Sequence, residues 1–431
     1  MKFLLGLVMT VVASAAAAQV GTPKAPATGF PAATARPPVP LAIQDAVNKA
    51  VDDLFNQVTK QGQTIEIVID PLIDGITGVE TAATRSIAGR VSEIAARRHP
   101  SVKVLAFSHD NIERAKFVFI GTFNPINNAG QLSGDRDAFW ICFTLIDAKQ
   151  KVVAARVAGR ATLADIDSTP APIFASSPVW ALDDATLAYI RTCQRSKPGD
   201  AVAAEYIDSL EVRAALADAH AAFDNGRFDD ALTKFQRAVE LPGGNQSIEV
   251  LNGLYLTLMK AGRTQDALAA FGRLIDAGFE RQRLGVMFLF EKGSADFVHD
   301  AIANMYPAWL EQIGDHLRAV GICLDIMGHA SRTGSERLNI RLTRARATTV
   351  RDRLLRTTPQ LASRVATFGV GSREVLVGLP VDDEQTALDR RVEFRPHVCA
   401  KRTKPARHVA VAPGTVVAHH EPLQSHRGLA S

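Results

Sequence analysis

Cysteine, long apolar runs and net charge are all scarce in this sequence of 431 residues. Its four cysteines exclude the disulfide-dense class of small secreted domains. With 49 Lys and Arg against 45 Asp and Glu, the net charge of +4 is too small to predict a nucleic-acid-binding protein. The sequence lacks G-x-S-x-G, H-E-x-x-H and a Walker-type Gly-rich loop. We therefore expect no enzymatic activity, no cofactor and no metal site.

The small surplus of positive charge lies at one end of the chain. Residues 397–431 hold five Lys or Arg and one Glu, which accounts for the whole +4. The segment also carries several Pro and His and few large apolar residues, so we predict a disordered basic tail. Such a tail could contact anionic wall polymers or lipid head groups, and the simpler interpretation is a solvated terminus.

The first 18 residues have the pattern of a secretory signal peptide. Lys2 precedes an apolar stretch over 3–12, and Ala16-Ala17-Ala18 offers a small-residue cleavage site. This predicts export to the periplasm, and it allows peripheral association with the outer membrane. In that oxidising compartment Cys142 and Cys193 either form a disulfide or stay as small buried residues. For Cys323 we expect the buried, unpaired state.

Composition and periodicity then divide the rest of the chain. Residues 19–41 are a Pro/Ala-rich linker. Residues 42–165 alternate helical and strand-like patterns, which predicts an α+β domain. Their order of elements resembles the small α/β domain of CsgG- and FlgO-type envelope proteins and the amino-terminal domain of TolB. Residues 166–200, polar and containing proline, are interpreted as a second linker.

Residues 201–280 repeat a helical pattern. Gly226 and Gly262 follow Ala/Phe-rich helices, and Ala231-x-x-x-Phe235 recurs as Ala267-x-x-x-Phe271. The spacing resembles two tetratricopeptide repeats, and generic helical hairpins are the alternative. Because these residues carry no reactive chemistry, we interpret the segment as an interaction surface or a spacer.

Residues 284–396 carry the most specific pattern. A turn Gly328-His329-Ala330-Ser331 is followed by Gly334, then by Asn339-x-x-Leu342-Thr343-x-x-Arg346-Ala347-x-x-Val350, a Gly369-x-Gly371 element and Asp389-Arg390-Arg391-Val392-Glu393. These motifs, in this order and spacing, resemble the OmpA-like peptidoglycan-binding domain. The resemblance covers about a quarter of the chain and implies a βαβαββ α/β sandwich. The whole chain is then a multidomain α+β protein.

The resemblance also implies a ligand, the diaminopimelate residue of the peptidoglycan stem peptide. Arg346 holds the family's binding-arginine position and would grip the carboxylate of this zwitterionic ligand. Asn339, two helical turns earlier, would lie on the same face. Backbone N–H groups near Thr333 and Gly334 would serve carboxylate oxygens. Ser331 stands where the family has its ligand-binding Asp.

That serine is a departure from the pattern. A neutral hydrogen bond to the ligand's ammonium is weaker than a charge-assisted one, so we expect binding about tenfold weaker than with Asp, or a lapsed site. Glu336, in the same loop, is one candidate for compensation. Arg391 is expected either to support the last strand or to contact the ligand directly.

Two functions follow. In the first, the chain is a non-enzymatic periplasmic protein that binds peptidoglycan and anchors its other domains at the wall. In the second, it is an adaptor of an envelope secretion, motility or wall-synthesis machine, and its repeats and α/β domain bind a protein partner.

Overall fold

The computed structural model describes residues 39–59, 63–127, 129–132, 134–299 and 302–399. The predicted signal peptide, almost all of the Pro/Ala-rich linker and the tail from residue 400 lie outside these ranges. Within them, no helix combines the length and the apolar character needed to cross a membrane.

The described chain contains both helices and strands, which confirms the prediction of a mixed α+β protein. The helices are α1 Ile43–Val58, α2 Ala82–Arg98, α3 His109–Arg114, α4 Pro172–Ser176, α5 Asp184–Arg195, α6 Ala204–Ile207, α7 Leu210–Asp224, α8 Phe228–Glu240, α9 Ile248–Lys260, α10 Thr264–Glu280, α11 Tyr306–Val320 and α12 Glu336–Thr357. The strands are β1 Ile65–Ile69, β2 Ile73–Asp74, β3 Val102–Leu105, β4 Phe117–Ile126, β5 Ala138–Asp147, β6 Val152–Thr162, β7 Val179–Trp180, β8 Leu284–Val286, β9 Cys323–His329, β10 Val365–Gly371 and β11 Val392–His397.

The first sheet has the order β3-β1-β4-β5-β6, with β2 beside β4. Strand β1 runs parallel to β3 and β4, and β4, β5 and β6 are antiparallel neighbours. Apolar side chains of α1 and α2, such as Leu54 and Val91, pack with Phe119 and Phe143 in one core. Every residue of β4 is buried because helices cover both faces of the sheet.

The interpretation of 166–200 as a linker is wrong. Helix α5 lies in this segment, and its Tyr189 and Cys193 are fully buried in the second core of the first sheet. The Tyr189 hydroxyl donates to the carbonyl of Pro71 at 3.0 Å and accepts from the N–H of Gly121 at 2.9 Å. Apolar residues at helical spacing therefore bind this segment to the sheet, although proline and polar residues surround them.

Helices α7 to α10 form two consecutive helical pairs. Gly226 and Gly262 adopt φ of +72° and +70° in the turns, where only glycine is unstrained. Phe235 and Phe271 are fully buried between the helices, as their spacing predicted. The assignment of these pairs to tetratricopeptide repeats stays a prediction.

The second sheet has the order β10-β9-β11-β8-β7. From β8 onward the elements follow the predicted βαβαββ order, with β10 parallel to β9 and with β11 antiparallel to both β9 and β8. Strand β8 ends at Val286, although the sequence stays apolar as far as Phe290. The apolar run 287–290 leaves the sheet and crosses toward α12.

The two sheets are held together by side chains of the loop between β10 and β11. Val377 and Leu379 from this loop are buried in the core of the first sheet. Gln385 Oε1 accepts a hydrogen bond from the Ser168 N–H at 3.0 Å. The guanidinium of Arg332 pairs with Asp135 at 2.5 Å. The amino-terminal sheet therefore lies against the turn and loop that build the candidate site.

The cysteines pair differently from the expectation. Cys323 on β9 forms a disulfide with Cys399, just beyond β11. Cys142 and Cys193 are free and buried. Strand β11 continues to His397, so the ordered chain extends beyond the predicted boundary at 396 and includes the first residues of the predicted tail.

Candidate ligand-binding site

The turn after β9 brings Ser331, Thr333 and Gly334 to the start of α12. Gly334 has φ of +79°, a left-handed conformation that favours glycine. Ser335 then caps α12 by accepting a hydrogen bond from the Leu338 N–H at 3.4 Å. The Ser331 hydroxyl is 3.0 Å from the Thr333 hydroxyl. The turn is thus fixed by its own side chains.

Asn339 ties this turn to the helix. Its Nδ2 donates to the carbonyl of Thr333 at 2.9 Å. The hydroxyl of Thr343, one turn further along α12, donates to the Asn339 carbonyl at 2.7 Å and accepts from the Gly371 N–H at 3.1 Å. Asn339 therefore fixes the turn against the start of α12.

Arg346 projects from α12 toward the segment that follows β8. Its Nε donates to the carbonyl of Ser294 at 2.9 Å, and Nη2 lies 3.4 Å from the carbonyl of Glu291. The guanidinium stacks 4.9 Å above the centre of the Phe290 ring. These contacts fix the plane of the guanidinium before any ligand is present.

The electrostatic surroundings of Arg346 favour an anion. Burial, followed by the like charge of Arg390, lowers the pKa of Arg346, and the charge of Asp382 opposes this effect. A carboxylate placed against the guanidinium would relieve both the desolvation and the repulsion between the two arginines.

A carboxylate that the sequence did not assign to the site lies beside Ser331. Asp382, in the loop between β10 and β11, accepts a hydrogen bond from the Ser331 hydroxyl at 2.7 Å. Arg390 Nη1 donates to the same Asp382 Oδ1 at 3.0 Å. Ser331 is 4% exposed, whereas the Asp382 side chain is 46% exposed. Asp382 thus places a solvent-accessible negative charge beside Ser331, the position at which the OmpA-like pattern has an aspartate.

Glu336 does not compensate for the missing Asp. Its Oε2 accepts a hydrogen bond from the Ser372 N–H at 3.2 Å, and its Oε1 pairs with Arg373 at 3.2 Å. Both partners follow β10, so the Glu336 carboxylate holds that loop instead of facing Ser331.

These groups share one cleft of about 580 Å³, which we call the α12 cleft. Ser331, Thr333, Asn339, Arg346, Asp382 and Arg390 all line it. Trp309 lines it as well, and residues 175–178, from the segment before β7, form another part of its wall. The cleft is therefore built by both the carboxy-terminal sandwich and the segment that connects it to the first sheet.

Arg391 lies outside this cleft, which excludes the expected direct contact with a ligand. Its side chain is 1% exposed and donates from Nε to Glu393 Oε1 at 2.7 Å. Burial raises the pKa of Glu393, but the charges of Arg391 and Arg283 outweigh this and hold the pKa well below its usual range. Arg391 therefore supports the last strand, which was the other expectation. Of the two neighbouring arginines, Arg390 is the one that lines the cleft.

One cluster in this region has ligand types suited to a metal ion, formed by His329, Glu374 and Glu393. Arg391 and Arg395 both pair with Glu393, and Arg395 also pairs with Glu374. Burial and the charge of Arg391 lower the pKa of His329 to about 2. The neighbouring guanidiniums already neutralise these carboxylates, so a cation would be repelled.

Comparisons with known proteins give local likenesses only. No family model matches the chain, and no curated protein matches it. Among solved structures, the cell wall anchor of the T6SS from Pseudomonas aeruginosa is similar at 27% identity, over 30% of this chain and 94% of that one, with a TM-score of 0.23. The peptidoglycan-associated lipoprotein from Burkholderia pseudomallei is similar at 25% identity, over 26% of this chain and 89% of that one, with a TM-score of 0.21. The periplasmic domain of Helicobacter pylori MotB is similar at 17% identity, over 27% of this chain and 74% of that one, with a TM-score of 0.23.

Proposed function

We propose that this chain is a non-enzymatic protein of the bacterial cell envelope that binds peptidoglycan through the α12 cleft. The observation that carries the proposal is the presence of Arg346 and Asp382 in one cleft. A ligand with one carboxylate and one ammonium complements these two charges. The side-chain end of diaminopimelate in the peptide stem has this form, and the OmpA-like motif around Arg346 predicts the same ligand.

Each end of the ligand has a counterpart in the cleft. Arg346 would take the carboxylate, since its guanidinium plane is already held by Phe290 and by the Ser294 carbonyl. Asp382 would take the ammonium through its exposed oxygen, while the Ser331 hydroxyl holds the other oxygen in place. Asn339 would hold the turn in place beneath both groups through its hydrogen bond to the Thr333 carbonyl.

Sedimentation with purified sacculi tests this function. We expect the wild type to sediment with the wall material and Arg346→Ala to lose most of its binding. The matched control is Arg341→Ala, because Arg341 is exposed on the same helix and does not line the cleft. The proposal fails if the wild type stays in the supernatant, or if the two alanine variants sediment equally well.

The other domains would then be anchored at the wall. Val377 and Leu379 reach from the carboxy-terminal part of the chain into the core of the first sheet. Binding of peptidoglycan by the α12 cleft would therefore also hold the first sheet at the wall. We propose that the first sheet and helices α7 to α10 present a surface to an envelope protein. Crosslinking in intact cells followed by mass spectrometry tests this, and recovery of wall material alone would contradict it.

A further inference from the structure

Helix α12 carries an excess of positive charge that the α12 cleft does not use. Its 22 residues include seven arginines, no lysine and two acids, Glu336 and Asp352. Each acid already pairs with an arginine, Glu336 with Arg373 and Asp352 with Arg351. The net charge of the whole chain is only +4, so much of its positive charge is concentrated on this one helix.

Three of the arginines form a stripe along the amino-terminal half of α12. Arg337, Arg341 and Arg344 follow one another at spacings of four and three residues, which places them on one face of the helix. All three are exposed, and none is paired with an acid in the part of the chain that the structure describes. They span about 10 Å along the helix axis. We call these three residues the basic stripe.

The basic stripe lies on the side of α12 opposite the α12 cleft. Residues two positions apart on a helix point about 200° apart, which is nearly in opposite directions. Arg337 and Arg344 stand two positions before Asn339 and Arg346, and the latter two line the cleft. A ligand in the cleft and a partner on the basic stripe could therefore contact α12 at the same time.

The surface beside the basic stripe is uncharged and partly apolar. Strand β10, at the edge of the second sheet, contains no charged residue, and its Gly369 lies directly against Arg344. Leu338 is 57% exposed and lies one helical turn before Arg341. Exposed apolar side chains among basic residues are typical of helices that lie in the head-group region of a membrane.

We propose that the basic stripe binds the surface of a bilayer that contains anionic phospholipids. The three guanidiniums would contact lipid phosphates, because the planar guanidinium presents paired donors that match phosphate oxygens. Leu338 would enter the boundary between head groups and acyl chains. This leucine favours a membrane over a soluble polyanion, which offers no apolar phase. The proposal does not rest on ligand binding in the α12 cleft.

Co-sedimentation with lipid vesicles tests the proposal on residues 19–431, since the predicted signal peptide would enter a bilayer by itself. One vesicle type contains equal parts of phosphatidylglycerol and phosphatidylcholine, and the other contains phosphatidylcholine alone. We expect the wild type to bind the first type and not the second. Binding should weaken as the salt concentration rises, because salt screens exposed charges.

A triple variant and a matched control locate the surface. Each arginine near an anionic leaflet strengthens binding about fivefold, so Arg337→Gln/Arg341→Gln/Arg344→Gln should lose about a hundredfold. The control, Arg97→Gln/Arg191→Gln/Arg237→Gln, removes three exposed arginines from other helices and should bind like the wild type. Every variant keeps the predicted basic tail, so the charge of the tail contributes equally to all of them.

A change without loss of charge tests the apolar contact. Leu338→Gln should weaken binding to the anionic vesicles about fivefold, because part of an apolar side chain no longer leaves water. Arg346→Ala should bind these vesicles like the wild type, so this proposal and peptidoglycan binding can fail separately.

Several outcomes would overturn the proposal. They are no binding to the anionic vesicles, equal binding to both vesicle types, equal binding of the triple variant and its control, or unchanged binding of Leu338→Gln. Long-chain polyphosphate is the probe for the other occupant. If the wild type binds it and does not bind the anionic vesicles, the basic stripe recognises a soluble polyanion instead of a membrane.

Discussion

The Ser331 hydroxyl donates a hydrogen bond to Asp382 Oδ1 at 2.7 Å, across 51 positions of the chain. Ser331 is nearly fully buried in the turn after β9, and Asp382 stands in the loop between β10 and β11. Two segments that are distant in the sequence thus meet in the α12 cleft. The turn contributes the Ser331 hydroxyl, which holds the Asp382 side chain in place, and the loop contributes the negative charge of Asp382.

Asp382→Asn should therefore weaken sedimentation with sacculi by about tenfold, because a neutral hydrogen bond to an ammonium replaces a charge-assisted one. Glu384→Gln is the matched control, since it removes the same charge two residues away at an exposed position that does not line the cleft. A binding curve over a series of sacculus concentrations measures both variants. Equal weakening by the two changes would indicate a general charge effect instead of a contact at Asp382.

The family pattern alone predicts that Ser331→Asp strengthens binding, and the structure changes this prediction. An aspartate at 331 would face Asp382 at hydrogen-bond distance, and two adjacent carboxylates cannot both stay ionised without cost. We expect no gain from Ser331→Asp. The double variant Ser331→Asp/Asp382→Asn moves the charge from the loop to the turn and should bind more tightly than Asp382→Asn. A tighter single variant would show that Asp382 is not part of the site.

The local parts of the site were predictable from sequence. Helix α12, its serine cap and the glycine turn depend on neighbours within a few residues, so periodicity and turn chemistry indicate them. Asn339 and Arg346 share a helix face for the same reason. These features need no knowledge of the remaining chain.

The features that the sequence did not predict depend on how distant segments of the chain pack together. Asp382 looks like a solvated turn residue in sequence, and only the return of the β10–β11 loop places it beside Ser331. The apolar run 287–290 has the composition of a strand, yet Phe290 leaves the sheet to cover Arg346. Cys399 lies in a segment with the composition of a tail, and its pairing with Cys323 requires β11 to end beside β9.

Arg391 and Arg346 should respond differently to mutation. Arg391→Met removes one of the three arginines that pair with buried Glu393, so we expect a loss of about 1–3 kcal/mol of unfolding free energy. Folded Arg391→Met should keep its binding to sacculi, since Arg391 does not line the cleft. Urea unfolding followed by circular dichroism, together with sedimentation at low temperature, measures the two effects. Lost binding with unchanged stability would instead place Arg391 at the ligand.

His220 should make the contact between the first sheet and the helical segment dependent on pH. It is buried on α7, with Nδ1 3.7 Å from Glu80 and Nε2 3.5 Å from Glu249. Burial alone lowers the pKa of His220, but the neighbouring carboxylates of Glu80, Glu249 and Asp224 outweigh it and raise the pKa. Arg85 pairs with both Glu80 and Asp224 and holds these two carboxylates on the side of the histidine.

Because the pKa of His220 is raised in the folded state, its stabilising contribution is complete below about pH 6.5 and is lost as the pH rises through the folded-state value. The difference in melting temperature between the wild type and His220→Gln should therefore be larger at pH 6 than at pH 9. His109→Gln, at an exposed histidine, should show a small difference at both pH values. A difference that grows with pH would mean that His220 is neutral in the folded protein.

The four cysteines should fall into two chemical classes. Cys142 and Cys193 are fully buried. Each thiol donates a hydrogen bond to the backbone carbonyl of the other cysteine, at 2.5 Å from Cys142 Sγ to Cys193 O and at 3.1 Å from Cys193 Sγ to Cys142 O. Burial raises the pKa of the Cys142 thiol well above its usual range, so this thiol stays protonated and keeps its hydrogen bond to the Cys193 carbonyl. Cys323 and Cys399 are already joined.

Denaturation without a reductant, followed by iodoacetamide and peptide mass spectrometry, should therefore label Cys142 and Cys193 and leave Cys323 and Cys399 unlabelled. Reduction before alkylation should label all four, which controls for access. Protein purified from an oxidising compartment gives the strictest version of the measurement, because an oxidant is then present during folding. If only the Cys142 and Cys193 peptides resist labelling, the pair has oxidised and the bonds between each thiol and the opposite carbonyl do not protect it. If all four react without a reductant, the Cys323–Cys399 link is absent, and the chain after β11 is not held to β9 by a covalent bond.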